Sequence, residues 1–233
     1  MEDEKKTNGL KEVAKELVGW EDTKLIKTLN YLTTRPGQII SEYSKGEKHK
    51  YLSPFVYFFG VTALETYIAS TIGLFDFMLK QNVESLRKTF SDPIFAKSGI
   101  NVSSTADQMN SAFLFLFSET GQKIIILPIV LLFTWLFYKK YNRSFKENSW
   151  FALYTLGHLT LLTIPLMLYW YITKDLVLYS IISLIIGSLY WIWNSIQFYK
   201  FKIGKAVLLR IMMLVTVLLT LTIVQFLMAF LFL

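Results

Sequence analysis

The chain has 233 residues, of which 53% are hydrophobic and only 18% are charged. It contains no cysteine and two histidines, which excludes thiol catalysis, disulfides, cysteine-ligated zinc sites and iron–sulfur clusters. The formal net charge is +7. Because the basic residues flank apolar runs, this charge indicates a membrane rather than nucleic acid as the partner.

Residues 1–51 are predicted to form amphipathic helices at the cytoplasmic face of a membrane. Residues 9–32 place apolar side chains three or four positions apart, and Pro36 is expected to begin a further helix with Ile39, Ile40 and Tyr43 on one face. Two interpretations stay open. The segment docks a protein partner or anionic lipid headgroups, or it only packs at the membrane surface, where its lysines act as topogenic charges.

Five apolar runs are predicted to cross the membrane, because about 20 helical residues span a hydrocarbon core of about 30 Å. These runs are Leu52–Leu79, Gln122–Tyr138, Trp150–Ile172, Leu176–Tyr199 and Ala206–Leu233. The predicted fold class is therefore an all-α polytopic membrane helix bundle, with residues 1–51 as one unit and residues 52–233 as the transmembrane domain. Residues of about 80–121 form an external segment, in which Phe113–Phe117 lie either in the interface or in the bilayer.

The orientation follows from the short basic loops. Lysine and arginine are concentrated before the first run, after the second run and before the fifth run. The positive-inside rule therefore predicts a cytoplasmic N-terminus and an external C-terminus.

Asp76 lies near the external end of the first apolar run, and three ionisable residues lie deeper in the runs, where such groups are costly and often functional. They are Glu65, His158 and Arg210, and a pairing of Glu65 with His158 or Arg210 is geometrically possible. The pair is either a proton- or ion-coupled polar centre or a structural contact. Asn194 and Gln197 are candidates for hydrogen bonds between helices.

No catalytic or metal-binding motif is recognisable, so we expect no enzyme activity, no metal site and no cofactor. The expected partners are membrane lipids and either a protein partner or a second copy of the chain, without nucleic acid. We expect a non-enzymatic scaffold that assists a membrane complex. The alternative is a small channel or transporter that uses Glu65 and His158.

The segment before the first run resembles a family of uncharacterised bacterial integral-membrane proteins, whose pattern is T-L-x-x-L-x-x-R-P-G-x-x-I-x-E-Y-x-x-G-K. The matching residues run from Thr28 through Arg35-Pro36-Gly37 to Glu42-Tyr43 and on to Gly46 and Lys48. The resemblance implies a location in the bacterial inner membrane. Many members also carry an N-terminal cysteine-rich zinc ribbon, which this chain lacks.

The Arg35-Pro36-Gly37 element predicts a rigid helix start at Pro36, with Gly37 allowing a close approach of the backbone. Arg35 either binds a phosphate or carboxylate or forms an internal bond to Glu42 or a backbone carbonyl. The candidate contacts for headgroups or a partner are Arg35, Lys45, Lys48 and Lys50.

Overall fold

A computed structural model of the protein describes residues 24–78, 80–81, 84, 119–141 and 143–231. The predicted helical stretch before residue 24, most of the external segment and Phe113–Phe117 lie outside these residues. Every regular element in the described residues is helical, which confirms the predicted all-α fold. The helices are α1 (Lys24–Thr34), α2 (Pro36–Ser44), α3 (Pro54–Thr71), α4 (Glu119–Tyr138), α5 (Phe145–Thr173), α6 (Leu176–Tyr199) and α7 (Ile203–Leu231), with 3₁₀ turns at Lys48–Lys50 and Lys139–Tyr141.

Within the described residues, four helical segments are long and apolar enough to cross a membrane. They are Lys48–Thr71, Phe145–Thr173, Leu176–Tyr199 and Ile203–Thr220. The remaining predicted run forms α4, which packs against α5 and α7 in the same bundle. The outward faces of the spans expose large apolar side chains, such as Leu189 and Leu218, each at 62%. Such a surface suits lipid and would be unfavourable in water.

The first span is shorter than the run Leu52–Leu79 predicted. Helix α3 ends at Thr71, and Gly73 adopts a positive φ of 73°. A glycine in this left-handed conformation ends a helix readily because it has no Cβ.

Helices α3 and α5 run parallel, but α5 begins well before α3. The Tyr154 hydroxyl donates to the Leu52 carbonyl at 2.5 Å, and Tyr57 lies beside His158 one turn further along. Helix α5 therefore extends about 15 Å beyond the start of α3. We call the end of the bundle where α3, α5 and α7 begin and α4 and α6 end the basic end, because the loops rich in lysine lie there.

Helices α1 and α2 lie at the basic end, beside the part of α5 that extends beyond the start of α3. Helix α2 packs on α6 and α5, and α1 packs on α5. Leu32 on α1 and Ile39 and Ile40 on α2 are completely buried there. The two isoleucines lie on the face that the periodicity of α2 predicts. Pro36 is the first residue of α2, also as predicted, because its ring favours helical φ and the position needs no N–H donor.

Gly37 sets the contact between α2 and α6. A Cβ atom on Gly37 would lie 2.5 Å from the backbone carbonyl carbon of Gln197 and 2.6 Å from the backbone nitrogen of Phe198. Backbone atoms cannot move aside as a flexible side chain can. Glycine is therefore required at this position for the close approach of α2 to α6.

We expect the substitution Gly37→Ala to destabilise the protein by about 1–3 kcal/mol, because the added methyl group forces α2 away from α6. The measurement is thermal unfolding of the detergent-solubilised protein. The matched control is Gly60→Ala in α3, where a Cβ meets nothing within 4 Å. Equal midpoints for the two variants would contradict the role given to Gly37.

Candidate functional site

His158 joins three helices near the basic end. It is 1% exposed. Its Nδ1 lies 2.8 Å from the Tyr57 hydroxyl on α3, and its Nε2 lies 3.3 Å from Thr33 Oγ1 on α1. The Tyr190 ring packs beside the imidazole at 5.1 Å, and its hydroxyl donates to the Leu32 carbonyl at 2.9 Å. Both ring nitrogens therefore contact neighbouring hydroxyl groups, and His158 ties α1 and α3 to α5.

Glu65 is not brought to His158. It lies eight residues beyond Tyr57 on α3, which corresponds to about 12 Å along the helix. Its electrostatic neighbour is Tyr179, near the start of α6.

Arg210 lies in different surroundings again. Its guanidinium group stacks on the Trp191 ring at 5.1 Å, and the Trp191 indole nitrogen donates to the Tyr138 hydroxyl at 3.1 Å. Trp191 is twelve residues along α6 from Tyr179, close to the basic end, whereas Tyr179 lies near the opposite end. The structure therefore does not gather Glu65, His158 and Arg210 into one polar centre.

A partly open cavity of about 510 Å³ lies between α2 and α6 at the basic end. Three cationic side chains line it, those of Arg35, Lys45 and Lys200. The polar side chains of Gln38, Ser41 and Gln197 complete the wall. No acidic side chain lines the cavity among the residues that the structure describes. A smaller cavity of about 350 Å³ on the α1 side shares Arg35.

The three cationic side chains belong to residues at helix ends. Arg35 precedes the first residue of α2, Lys45 caps the end of the same helix, and Lys200 caps the end of α6. The Gln197 Oε1 atom accepts a hydrogen bond from the Gly37 backbone nitrogen at 3.2 Å. This bond, with the close contact at Gly37, fixes the two walls of the cavity relative to each other.

The cavity takes up two of the four basic residues proposed from the sequence. Lys48 instead stacks over Tyr43 and Trp150, and Lys50 pairs with Glu47 at 2.6 Å. Lys200 takes a place that sequence reasoning did not assign. As one of several lysines after a span, it was indistinguishable from a topogenic charge. Gln197 was a candidate for an interhelical hydrogen bond, which it makes, but its contact with the glycine was not foreseen.

The predicted alternative of an Arg35 bond to Glu42 is wrong. The Glu42 carboxylate instead accepts from the Tyr51 hydroxyl at 2.6 Å and from the Gln38 amide at 2.7 Å. The Tyr51 hydrogen bond is the main reason that the pKa of Glu42 lies below its usual value, with the Gln38 amide and the charge of Lys50 acting in the same direction. The Arg35 side chain makes no hydrogen bond or ion pair with any residue described by the structure.

The apolar helices and their lipid-compatible outer faces define an integral membrane protein. The chain is similar, over residues 22–65, to a family described as proteins of unknown function (DUF3667). This match confirms the resemblance to an uncharacterised family. No curated protein and no solved structure matches the chain. The matched segment covers α1, α2 and most of α3. It includes five of the seven residues that line the cavity, which are Arg35, Gly37, Gln38, Ser41 and Lys45.

The bond between Tyr57 and His158 predicts energetic coupling. We expect Tyr57→Phe and His158→Phe each to destabilise the protein by about 1–2 kcal/mol, because each leaves a buried polar partner unsatisfied. The double variant should cost clearly less than the sum of the two, since neither partner remains. The measurement is the free energy of unfolding in mixed detergent micelles. Additive losses would contradict the coupling.

The lowered pKa of Glu42 predicts a loss of stability in acid. A carboxyl group whose pKa is lower in the folded state stabilises that state above the pKa of the unfolded chain. This contribution disappears as the pH falls from the ordinary pKa range of a glutamate through the lower folded value. Thermal unfolding midpoints should therefore fall more steeply for the wild-type protein than for Glu42→Gln over this range. Tyr51→Phe should lie between the two, and parallel profiles for all three proteins would refute the linkage.

Proposed function

We propose that the protein is a non-enzymatic scaffold of the bacterial inner membrane that assists a membrane complex and docks its partner on the cytoplasmic side. The observation that supports this most is the fixed position of α1 and α2. Their inner faces are buried against the spans, while Asn30 and Thr34 are exposed on the other side. A surface built on helices that cannot shift is well suited to hold a partner in one geometry.

The orientation belongs to the same proposal. The basic end carries Lys139, Lys140 and Arg143 after α4, and Lys200, Lys202 and Lys205 between α6 and α7. The positive-inside rule favours a cytoplasmic location for this end. With that orientation, α1 and α2 face the cytoplasm, where a soluble domain of a partner can reach them.

The surroundings of His158 favour the scaffold over the channel or transporter. A proton-coupled centre at Glu65 and His158 requires the two groups to exchange charge or a proton. The imidazole nitrogens instead contact Tyr57 and Thr33, and this arrangement supports a structural role.

The first test is crosslinking in native membranes, followed by purification in mild detergent and quantitative mass spectrometry. We expect one partner at constant stoichiometry with the wild-type protein and with Gly60→Ala. The partner should be lost with Gly37→Val, which displaces α2, and with Asn30→Arg, which changes only the exposed side of α1. Absence of a constant partner, or its full retention by both variants, would contradict the scaffold.

A second experiment tests the alternative directly. Purified protein in proteoliposomes is assayed for proton and cation flux beside Glu65→Gln and His158→Gln. The scaffold predicts no flux above that of protein-free vesicles. Flux that is present in the wild-type protein and lost in both variants would establish the transporter instead.

A further inference from the structure

We propose that the cavity between α2 and α6 binds the phosphate-bearing headgroup of an anionic phospholipid, with one acyl chain lying along the outer face of α6. Arg35, Lys45 and Lys200 would contact the phosphate. This inference rests on the proposed orientation but not on the scaffold role, because it concerns a lipid and not the protein partner.

The charge of the cavity favours an anionic ligand. Arg35, Lys45 and Lys200 carry three positive charges around one cavity. None of the three side chains forms a hydrogen bond, an ion pair or a cation–π contact with another described residue. Several other basic side chains near this end do have partners, such as Arg143 with Glu147 at 3.1 Å and Lys205 with the Tyr141 ring at 4.2 Å. Like charges held together without a counter-charge favour an anion.

The chemistry of the three groups favours a phosphate. An arginine guanidinium matches the geometry of two phosphate oxygens, and lysines beside it supply point charges. The volume of about 510 Å³ lies within the range of about 300–1,000 Å³ that is typical of small-molecule sites. A headgroup therefore fits the cavity in both size and charge.

The conformation of Lys200 is a further observation. Its φ of 59° places it in the left-handed region, where a residue with a Cβ carries a steric cost that glycine avoids. Lys174 at the end of α5 adopts the same conformation with a φ of 55° and does not line the cavity. The cavity is therefore identified by its charges and not by this backbone conformation.

The outer face of α6 identifies the anion as part of a lipid. Starting from Gln197 in the cavity wall, every fourth residue along α6 is apolar and exposed to the membrane. These residues are Trp193 at 36%, Leu189 at 62% and Ile185 at 52% exposure. Residues four apart lie on one face of a helix, so they form a continuous apolar stripe. The stripe extends about 18 Å from Gln197, slightly more than half the thickness of the hydrocarbon core.

The position of the cavity also favours a lipid headgroup. Basic cavities at transmembrane helices on the cytoplasmic side of a membrane are typical binding sites for anionic headgroups. Here one wall is the end of the transmembrane helix α6 and the other is the amphipathic helix α2. The cavity lies where α6 ends and the lysine-rich loop begins. A phosphate there and an acyl chain along the stripe are the two parts of one phospholipid.

The test measures quenching of tryptophan fluorescence by lipids with brominated acyl chains. The full chain is reconstituted in phosphatidylcholine vesicles that contain a minor fraction of brominated phosphatidylglycerol or brominated phosphatidylcholine. We expect phosphatidylglycerol to quench preferentially. Arg35→Gln, Lys45→Gln and Lys200→Asn should each reduce the preference about fivefold. Asparagine is chosen at 200 because it tolerates the left-handed conformation. Trp193→Phe should remove most of the lipid-selective signal.

Lys48→Gln and Lys50→Gln are the matched controls. Each removes one positive charge from the same end of the bundle without altering the cavity, so the preference should be retained. Thermal midpoints close to that of the wild-type protein show that a variant is folded.

Three outcomes would overturn the inference. Equal quenching by the two lipids would exclude a headgroup site. If the cavity variants leave the preference unchanged, or if the two controls reduce it as much as the cavity variants do, the preference would be due to general surface charge. Loss of the preference on addition of inorganic phosphate would assign the cavity to a soluble phosphate and not to a lipid.

Discussion

The close contact of α2 with the backbone of α6 at Gly37 is the constraint on which the basic end depends. It brings Arg35 and Lys45, at the two ends of α2, close to Lys200 at the end of α6. It also allows Ile39 and Ile40 to reach complete burial against the spans. Packed interiors have little free space, so even one methyl group at this point moves every group that α2 carries. This one contact forms the cavity. It also covers the part of α5 that extends beyond the start of α3.

Unpaired backbone groups near a membrane must find partners, and side chains of the basic end provide them. The link between the 3₁₀ turn and α3 is not helical at Leu52. The Leu52 N–H donates to Thr28 Oγ1 at 3.0 Å, and the Leu52 carbonyl accepts from the Tyr154 hydroxyl. Without these two partners, the Leu52 backbone would need the regular hydrogen bonds of a helix to be satisfied in an apolar environment. Thr28, which lies within the segment similar to the uncharacterised family, therefore has a structural role that explains its buried position.

The sequence was sufficient to predict some features and insufficient for others, for physical reasons. The start of α2 at Pro36 and the buried face of Ile39, Ile40 and Tyr43 follow from local rules of helix initiation and periodicity. The depth of His158 in its span also followed from counting residues. Its partners did not, because Tyr57 and Thr33 are 101 and 125 residues away. The rotation of each helix about its axis decides such contacts, and hydropathy carries almost no information about it when all sides of a span are apolar.

The same limit applied to the cavity. Lys45 and Lys200 are both lysines next to a helix end, a position that membrane topology alone explains. Only the approach of α2 to α6 distinguishes them from Lys48, which stacks over aromatic rings, and from Lys50, which pairs with Glu47. Arg35 was recognisable as special because of the proline and glycine that follow it.

The order of the chain has a consequence for biogenesis. Helices α1 and α2 are synthesised before the spans that the structure describes, but their binding surface on α6 is completed 160 residues later, as the bond between Gly37 and Gln197 shows. At about 5–20 residues per second, translation of that interval takes roughly 10–30 s. During this time Leu32, Ile39 and Ile40 have no surface on α6 to cover them. The nascent chain must therefore hold an apolar segment at the ribosome or the bilayer surface until α6 is inserted.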